Sequence, residues 1–161
     1  MSVHVEILDE ADGWEALPDR HAIADRIIQT AASASKSKLH ADADVSLLFC
    51  DDERIRELNR SFRGIDKPTN VLSFPGSNPN GLLLMLGDIA IAFETVQREA
   101  RDEGKSLADH TAHMVAHGFL HLLGFDHEND EDAEEMEALE RAILAAHGIA
   151  DPYGPEIETG D

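Results

Sequence analysis

Residues 106–127 read SLADHTAHMVAHGFLHLLGFDH. The pattern predicts one long helix over 106–123. His117 and His121 lie four apart, which puts both rings on one helix face with Cβ atoms about 5–6 Å apart and suits two ligands of one metal ion. Gly124 can end the helix in a left-handed conformation. The chain then reverses, and His127 can bring a third imidazole back to the same ion. Three protein nitrogens leave a fourth position for water, the arrangement of catalytic rather than structural zinc. Such a metal lowers the pKa of bound water to about 7 and polarises the bond under attack. A helical histidine pair alone is more often ordinary packing. Histidines at i, i+4 and i+10 with glycine at i+7 are a far more specific pattern. One zinc ion per chain is expected, held by His117, His121 and His127 and used for hydrolysis.

His110 and His113 lie upstream on nearly the same stripe. With three ligands already assigned, packing or surface roles are expected for both. The spacing of the histidines also matches the metzincin pattern H-E-x-x-H-x-x-G-x-x-H, except that Gly118 stands where those proteases carry their general-base Glu. A glycine inside a helix costs about 1 kcal/mol relative to alanine, so Gly118 needs a reason. Either a bulky substrate approaches the metal there, or the backbone packs closely on a neighbouring strand.

Outward from this helix, residues 3–8 alternate as a strand, and Pro18-Asp19 open a helix to about Ala34 with Ile23, Ile27 and Ala31 inward. Residues 45–50 form an apolar strand. Asp51 or Asp52 caps a helix to about Phe62 whose inner stripe is Ile55, Leu58 and Phe62, and Gly64 ends it. A turn-rich connector over 65–70 leads to a short strand over 71–74, and 75–81 is a loop by composition. Residues 82–92 supply one or two strands with Gly87-Asp88 as an interruption. Residues 93–102 read as a helix, as do 130–147, the latter with Met136, Leu139, Ile143 and Leu144 inward. Strands concentrate before residue 92 and helices after it, so the class is α+β. With neither repeat nor long linker, residues 1–161 are expected to form a single domain, 148–161 being a loose tail.

The chain has 161 residues, 42% of them apolar, and a net charge of −20. That charge argues against a general nucleic-acid coat protein. It is unevenly spread: Arg54, Arg56, Arg60, Arg63 and Lys67 supply five of the thirteen basic residues within fourteen positions. A small basic site on an acidic body can bind a polyanion locally, although solvated helix faces are the plainer reading. Asp126, Glu128, Asp130, Glu131, Asp132, Glu134, Glu135, Glu137 and Glu140 form a run without Lys or Arg, expected to be a solvated helix face. No apolar stretch is long enough to span a bilayer, and the start Met1-Ser2-Val3-His4-Val5-Glu6 lacks a secretory signal. With Cys50 alone, a reducing, cytoplasmic setting without membrane association is expected.

Three blocks together carry a resemblance: Arg63-Gly64-Ile65-Asp66-Lys67-Pro68-Thr69-Asn70-Val71-Leu72-Ser73-Phe74-Pro75, then Leu86-Gly87-Asp88-Ile89, then His117-Gly118-Phe119-Leu120-His121-Leu122-Leu123-Gly124-Phe125-Asp126-His127. In motif order and over nearly the whole chain, they resemble the YbeY family of bacterial endoribonucleases. Phe125 stands where many members carry Tyr. The resemblance implies a small mixed sheet beside several helices, with the metal site on a helix of the C-terminal half and the turn after it. It implies zinc on His117, His121 and His127, and a role in activity for Arg63. It further implies single-stranded RNA as substrate, notably the 3′ end of small-subunit ribosomal RNA, and a part in ribosome quality control. The partners implied are a small-subunit ribosomal protein and the GTPase Era.

On this reading Arg63 binds phosphate through its planar fork and stabilises developing charge, though on residue chemistry alone it can equally be a helix-end cation. Lys67 is a phosphate contact or a solvated lysine. Asp126 orients a ligand imidazole or forms a turn, and for Asp88 a turn is expected. Two other functions compete: a metalloprotease-like hydrolase, weakened by Gly118, and a ribosome-assembly factor with a structural zinc.

Overall fold

The computed structural model describes residues 3–78 and 82–153. Its frame is set by the longest strand, Leu39–Cys50 (β2), which lies between β1 (His4–Asp9) and β4 (Leu83–Ala92) and runs parallel to both. β3 (Val71–Pro75) adds to the far side of β4 antiparallel, so the order is β1-β2-β4-β3. Parallel neighbours need crossover connections, and helices supply them. Helix α1 (Arg20–Ala34) joins β1 to β2, and α2 (Asp52–Arg63) follows β2. After β4 come α3 (Phe93–Asp102), α4 (Leu107–Leu122) and α5 (Asp130–Ala145). The α+β class with a mixed sheet is as expected.

Strand alternation divides the core between the two faces of the sheet. Val45, Leu47 and Phe49 of β2 and Ile89 and Ile91 of β4 join the larger cluster, which also holds Ile27 and Ile28 of α1, Val115, Phe119 and Leu120 of α4, and Ile143 and Leu144 of α5. Cys50, Ala90, Ala92 and Leu72 point the other way, onto Ile55 of α2. The histidine helix and the basic helix α2 therefore lie on opposite faces.

Four expectations are corrected. β2 begins at Leu39, six residues earlier than its apolar run, because the ladder with β4 is picked up at Leu39 opposite Leu83 and resumes, with register shifts, at Asp44 opposite Met85. β4 runs through Gly87-Asp88 without a turn, although its register on β2 slips by one residue there, Asp44 facing Met85 and Val45 facing Gly87. The strand runs through with Gly87 at φ 129, and a Cβ there would lie 2.2 Å from the Phe74 carbonyl oxygen, so glycine lets β3 close on β4. Phe62 is 69% exposed and rests against Phe74 with ring centroids 5.2 Å apart. The inner stripe of α2 keeps Ile55 and the half-buried Leu58 and adds Asn59, whose Nδ2 donates to the Lys67 carbonyl at 2.9 Å and so pins the connector. A short 3₁₀ helix over Asp12–Ala16, a stretch for which the sequence suggests no element, buries Trp14 completely, its indole N–H donating to the Cys50 carbonyl at 2.9 Å. The expected tail is tied down over residues 148–153, where Ile149 packs on the core; residues 154–161 lie outside the described part.

The reason for Gly118 is packing. A Cβ there would stand 2.9 Å from Ile89 Cγ2, 3.2 Å from Val71 Cγ2 and 3.3 Å from Ser73 Oγ. Ser73 Oγ also donates to the Gly118 carbonyl at 2.9 Å. Glycine lets α4 sit directly on β3 and β4, and it faces the sheet rather than an approaching substrate. In Gly118→Ala a helix-propensity gain of about 1 kcal/mol opposes an overpacking cost of about 1–3 kcal/mol. We expect a net loss of about 1 kcal/mol in urea unfolding; a variant more stable than the parent would contradict the close contact.

Candidate metal centre

Helix α4 is amphipathic in an unusual sense, because nearly all of it is buried. Ser106 caps it by accepting from the Asp109 N–H at 3.0 Å. It ends at a glycine turn in which the Phe125 N–H donates to the Leu120 carbonyl and the Gly124 N–H to the His121 carbonyl, both at 3.1 Å, with Gly124 at φ 100. This Schellman-type closure folds the chain back over the last turn of the helix and sets the exposed His127 beside the two helical histidines.

The three rings converge. His117 and His121 stand edge to face with centroids 4.6 Å apart, and His127 lies 5.8 Å from the first and 5.4 Å from the second. One ligand atom from each lies within 4.8 Å of the others, and no fourth His, Cys, Asp or Glu joins them among the described residues. His117 Nε2 and His121 Nε2 are 3.1 Å apart. Ligand nitrogens on one tetrahedral zinc are separated by about 3.3–3.4 Å, given metal–nitrogen distances of about 2.0–2.1 Å. The trio can hold one metal ion.

A residue of α5 decides how that trio is oriented. Glu140 is 0% exposed, and its Oε2 lies 2.6 Å from His117 Nδ1. Burial pushes its carboxyl pKa up, but hydrogen bonds from His113, His117 and Tyr153 outweigh this and hold it at about 2. An ionised carboxylate can only accept, so His117 Nδ1 carries the proton and Nε2 presents its lone pair towards His121. Burial, and then the charges of His117 and His127, push the His121 imidazole below the usual histidine range, which keeps it in the neutral, ligating form. His117 Nε2 thus turns a lone pair towards the point where the three rings converge, which is what a cation needs.

Sequence reasoning assigned Glu140 to a solvated acidic face, and here it is corrected. The signal was present: Met136, Glu140, Ile143 and Leu144 share the i, i+4, i+7, i+8 stripe that α5 buries. A carboxylate on a core stripe must have partners. His110 and His113 are both buried; His110 Nε2 lies 2.9 Å from Glu99 Oε1, which also accepts from Asn70, whereas His113 does more than pack, since its Nε2 lies 3.4 Å from Glu140 Oε1. Asp126 accepts from the Glu128 N–H at 3.1 Å, which is a turn role. Arg63 ends α2, is exposed, and makes no hydrogen bond or ion pair with the histidines among the described residues. Its neighbours Arg56 and Arg60 pair with Asp66, and Arg54 with Glu10 and Glu57.

A family model described as Endoribonuclease YbeY matches residues 13–148. The Endoribonuclease YbeY of Methylocella silvestris is 53% identical over 149 residues, covering 92% of this chain and 85% of that protein. The Rhodopseudomonas palustris protein of the same description (strain CGA009) is 54% identical over 152 residues, with 92% and 80% covered. Among solved structures, the solution structure of TM1509 from Thermotoga maritima superposes with a TM-score of 0.55 at 25% identity, covering 94% of this chain and 99% of that one.

The held-down carboxyl of Glu140 has a consequence for acid stability. Its folded value of about 2 lies below its ordinary 4.5. Its contribution to stability is therefore complete above about pH 4.5 and is lost as pH falls towards 2. For the metal-free protein we expect the unfolding free energy from urea titrations to fall between pH 5 and pH 3 by about 2 kcal/mol more in the parent than in Glu140→Gln. Parallel profiles for parent and variant would contradict the assignment.

Proposed function

The chain belongs to the YbeY family of endoribonucleases, and on that footing we propose that it is a zinc-dependent endoribonuclease cutting single-stranded RNA. Its proposed substrate is the 3′ end of small-subunit ribosomal RNA, with a part in ribosome quality control. The observation that carries the reading is the convergence of three imidazole nitrogens with no fourth protein donor among the described residues, on a surface where His127 is exposed. A structural zinc would call for four protein ligands. His117, His121 and His127 would hold the ion, and zinc in such a site supplies Lewis-acid chemistry at a phosphoryl oxygen and lowers the pKa of water.

The remaining work falls to the chain's own residues. Glu140 keeps His117 in the tautomer that ligates. Arg63 is proposed to bind the phosphate and stabilise charge that develops on it. Supporting this, Arg63 is exposed and without an acidic partner among the described residues, whereas Arg54, Arg56 and Arg60 are engaged. Lys67, four residues on, adds a second cation without an ion-pair partner among the described residues. A net charge of −20 repels a polyanion at long range. Delivery of the RNA on the ribosome, through a small-subunit ribosomal protein and an Era-type GTPase, fits that repulsion and would put the protein in the cytoplasm. No helix is long and apolar enough to cross a membrane among the described residues.

The test uses labelled single-stranded RNA, duplex RNA and casein with the purified chain. We expect cleavage of the single strand alone, abolished by chelator and restored by zinc. Cleavage that persists in chelator, or its absence from protein carrying stoichiometric zinc, would overturn the proposal. Arg63→Ala should lower cleavage by about 10²-fold or more with zinc content unchanged, while His121→Ala should lose metal and activity together. Equal cleavage by Arg63→Ala and the parent would remove the role given to Arg63.

A further inference from the structure

The segment after α5 returns to the metal centre instead of leaving it. The Ile149 N–H donates to the Leu144 carbonyl at 2.9 Å, with Gly148 at φ 74, and Ile149 packs on the core. Arg141 Nε then donates to both carboxylate oxygens of Asp151, at 3.2 and 3.1 Å, and the Tyr153 N–H donates to Asp151 Oδ1 at 2.8 Å. The Arg141 guanidinium lies 5.5 Å from the centre of the Tyr153 ring. These contacts carry Tyr153 inward until its hydroxyl donates to Glu140 Oε1. The same hydroxyl lies 3.2 Å from His113 Nε2, while that nitrogen is 3.4 Å from Glu140 Oε1.

The two oxygens of Glu140 are thus divided, Oε2 for His117 and Oε1 for Tyr153. A glutamate reaches its carboxylate through three torsions, and a buried one is held only by its hydrogen bonds. Without the phenol, Oε1 keeps only the longer contact to His113. We propose that Tyr153 is a positioning residue for the metal centre: its hydroxyl locks the Glu140 carboxylate in the orientation that aims His117 Nε2 at the cation. The last described turn of the chain is then a clasp on the site, and metal affinity depends on a residue that touches no ligand atom. This rests on the reading of the three histidines as a metal site.

Tyr153→Phe removes the hydroxyl and keeps the ring that stacks on Arg141. Zinc would be titrated into the metal-free full chain against a chromophoric chelator, for the parent, Tyr153→Phe, Glu140→Gln and the double variant. Partners that orient a metal-bound histidine typically govern about 10–100-fold in affinity. We expect Glu140→Gln to fall in that range, Tyr153→Phe to weaken binding by about 10-fold, and the double variant to be no weaker than Glu140→Gln alone. Unchanged zinc affinity in Tyr153→Phe would overturn the proposal, and so would a double variant in which the two losses multiply, since Tyr153 would then not act through Glu140. A parent that binds no zinc would instead overturn the metal site itself, and the clasp with it. Should Glu140→Gln fail to fold, the visible absorption of the Co2+-loaded parent and Tyr153→Phe decides. An altered band supports the positioning role, and superimposable spectra refute it.

Discussion

A fully buried carboxylate is the constraint on which the centre of this protein depends. Glu140 has no access to water, and an isolated ionised carboxylate in that environment would be far too costly to keep. Its three donors come from separate parts of the chain: His113 and His117 from α4 and Tyr153 from the segment beyond α5. Satisfying one charge thereby ties α4, α5 and the end of the described chain together. The tautomer of a metal-ligand histidine is a by-product of that requirement. Folding and metal readiness are coupled here because they draw on the same hydrogen bonds.

Helix α4 serves two surfaces at once. On one side Gly118 removes the Cβ that would collide with Ile89 and Val71, so the helix settles onto the sheet and Ser73 can reach its backbone. On another side His117 and His121 face the returning loop that carries His127. A protease-type Glu at position 118 has no room in this packing. The departure from the metzincin pattern is therefore steric in this fold. The acidic start of α5, with Asp130, Glu131 and Asp132 in its first turn, favours that helix end through its dipole and adds negative potential to the chain.

What was legible in the sequence follows from the range of the forces involved. The ligand set rests on local rules: i, i+4 spacing on one helix and a glycine able to adopt positive φ after it. The structure brings His117, His121 and His127 together as those rules imply. Helix caps at Asp51 and Ser106 are equally local. The failures are non-local. Gly87 was read as a break because its need for positive φ in a strand appears only when β3 closes against it. Phe62 has the spacing of a helical stripe, but it lies at the exposed end of α2 and rests on Phe74 at the surface. Glu140 carried its own signal, a charge on an apolar stripe, hidden by the acidic residues on either side.

Strand β3 links the two faces of the sheet. Its alternation sends Val71 and Ser73 towards α4 and Leu72 and Phe74 towards α2. The basic end of α2, with Arg63, lies on the side of the sheet away from the histidines, and the chain passes from one to the other through residues 64–70. That passage is held at both ends: Asn59 grips the Lys67 carbonyl, and the Asn70 carbonyl accepts from the Ala92 N–H at 3.0 Å while its side chain donates to Glu99. A slip of one residue in β3 would turn Ser73 away from Gly118 and put Leu72 or Phe74 against the histidine helix. The long motif from Arg63 to Pro75 is best understood as a register device. Backbone pairing and the side chains of Asn59 and Asn70 fix where Arg63 on one layer stands relative to the three histidines on the other.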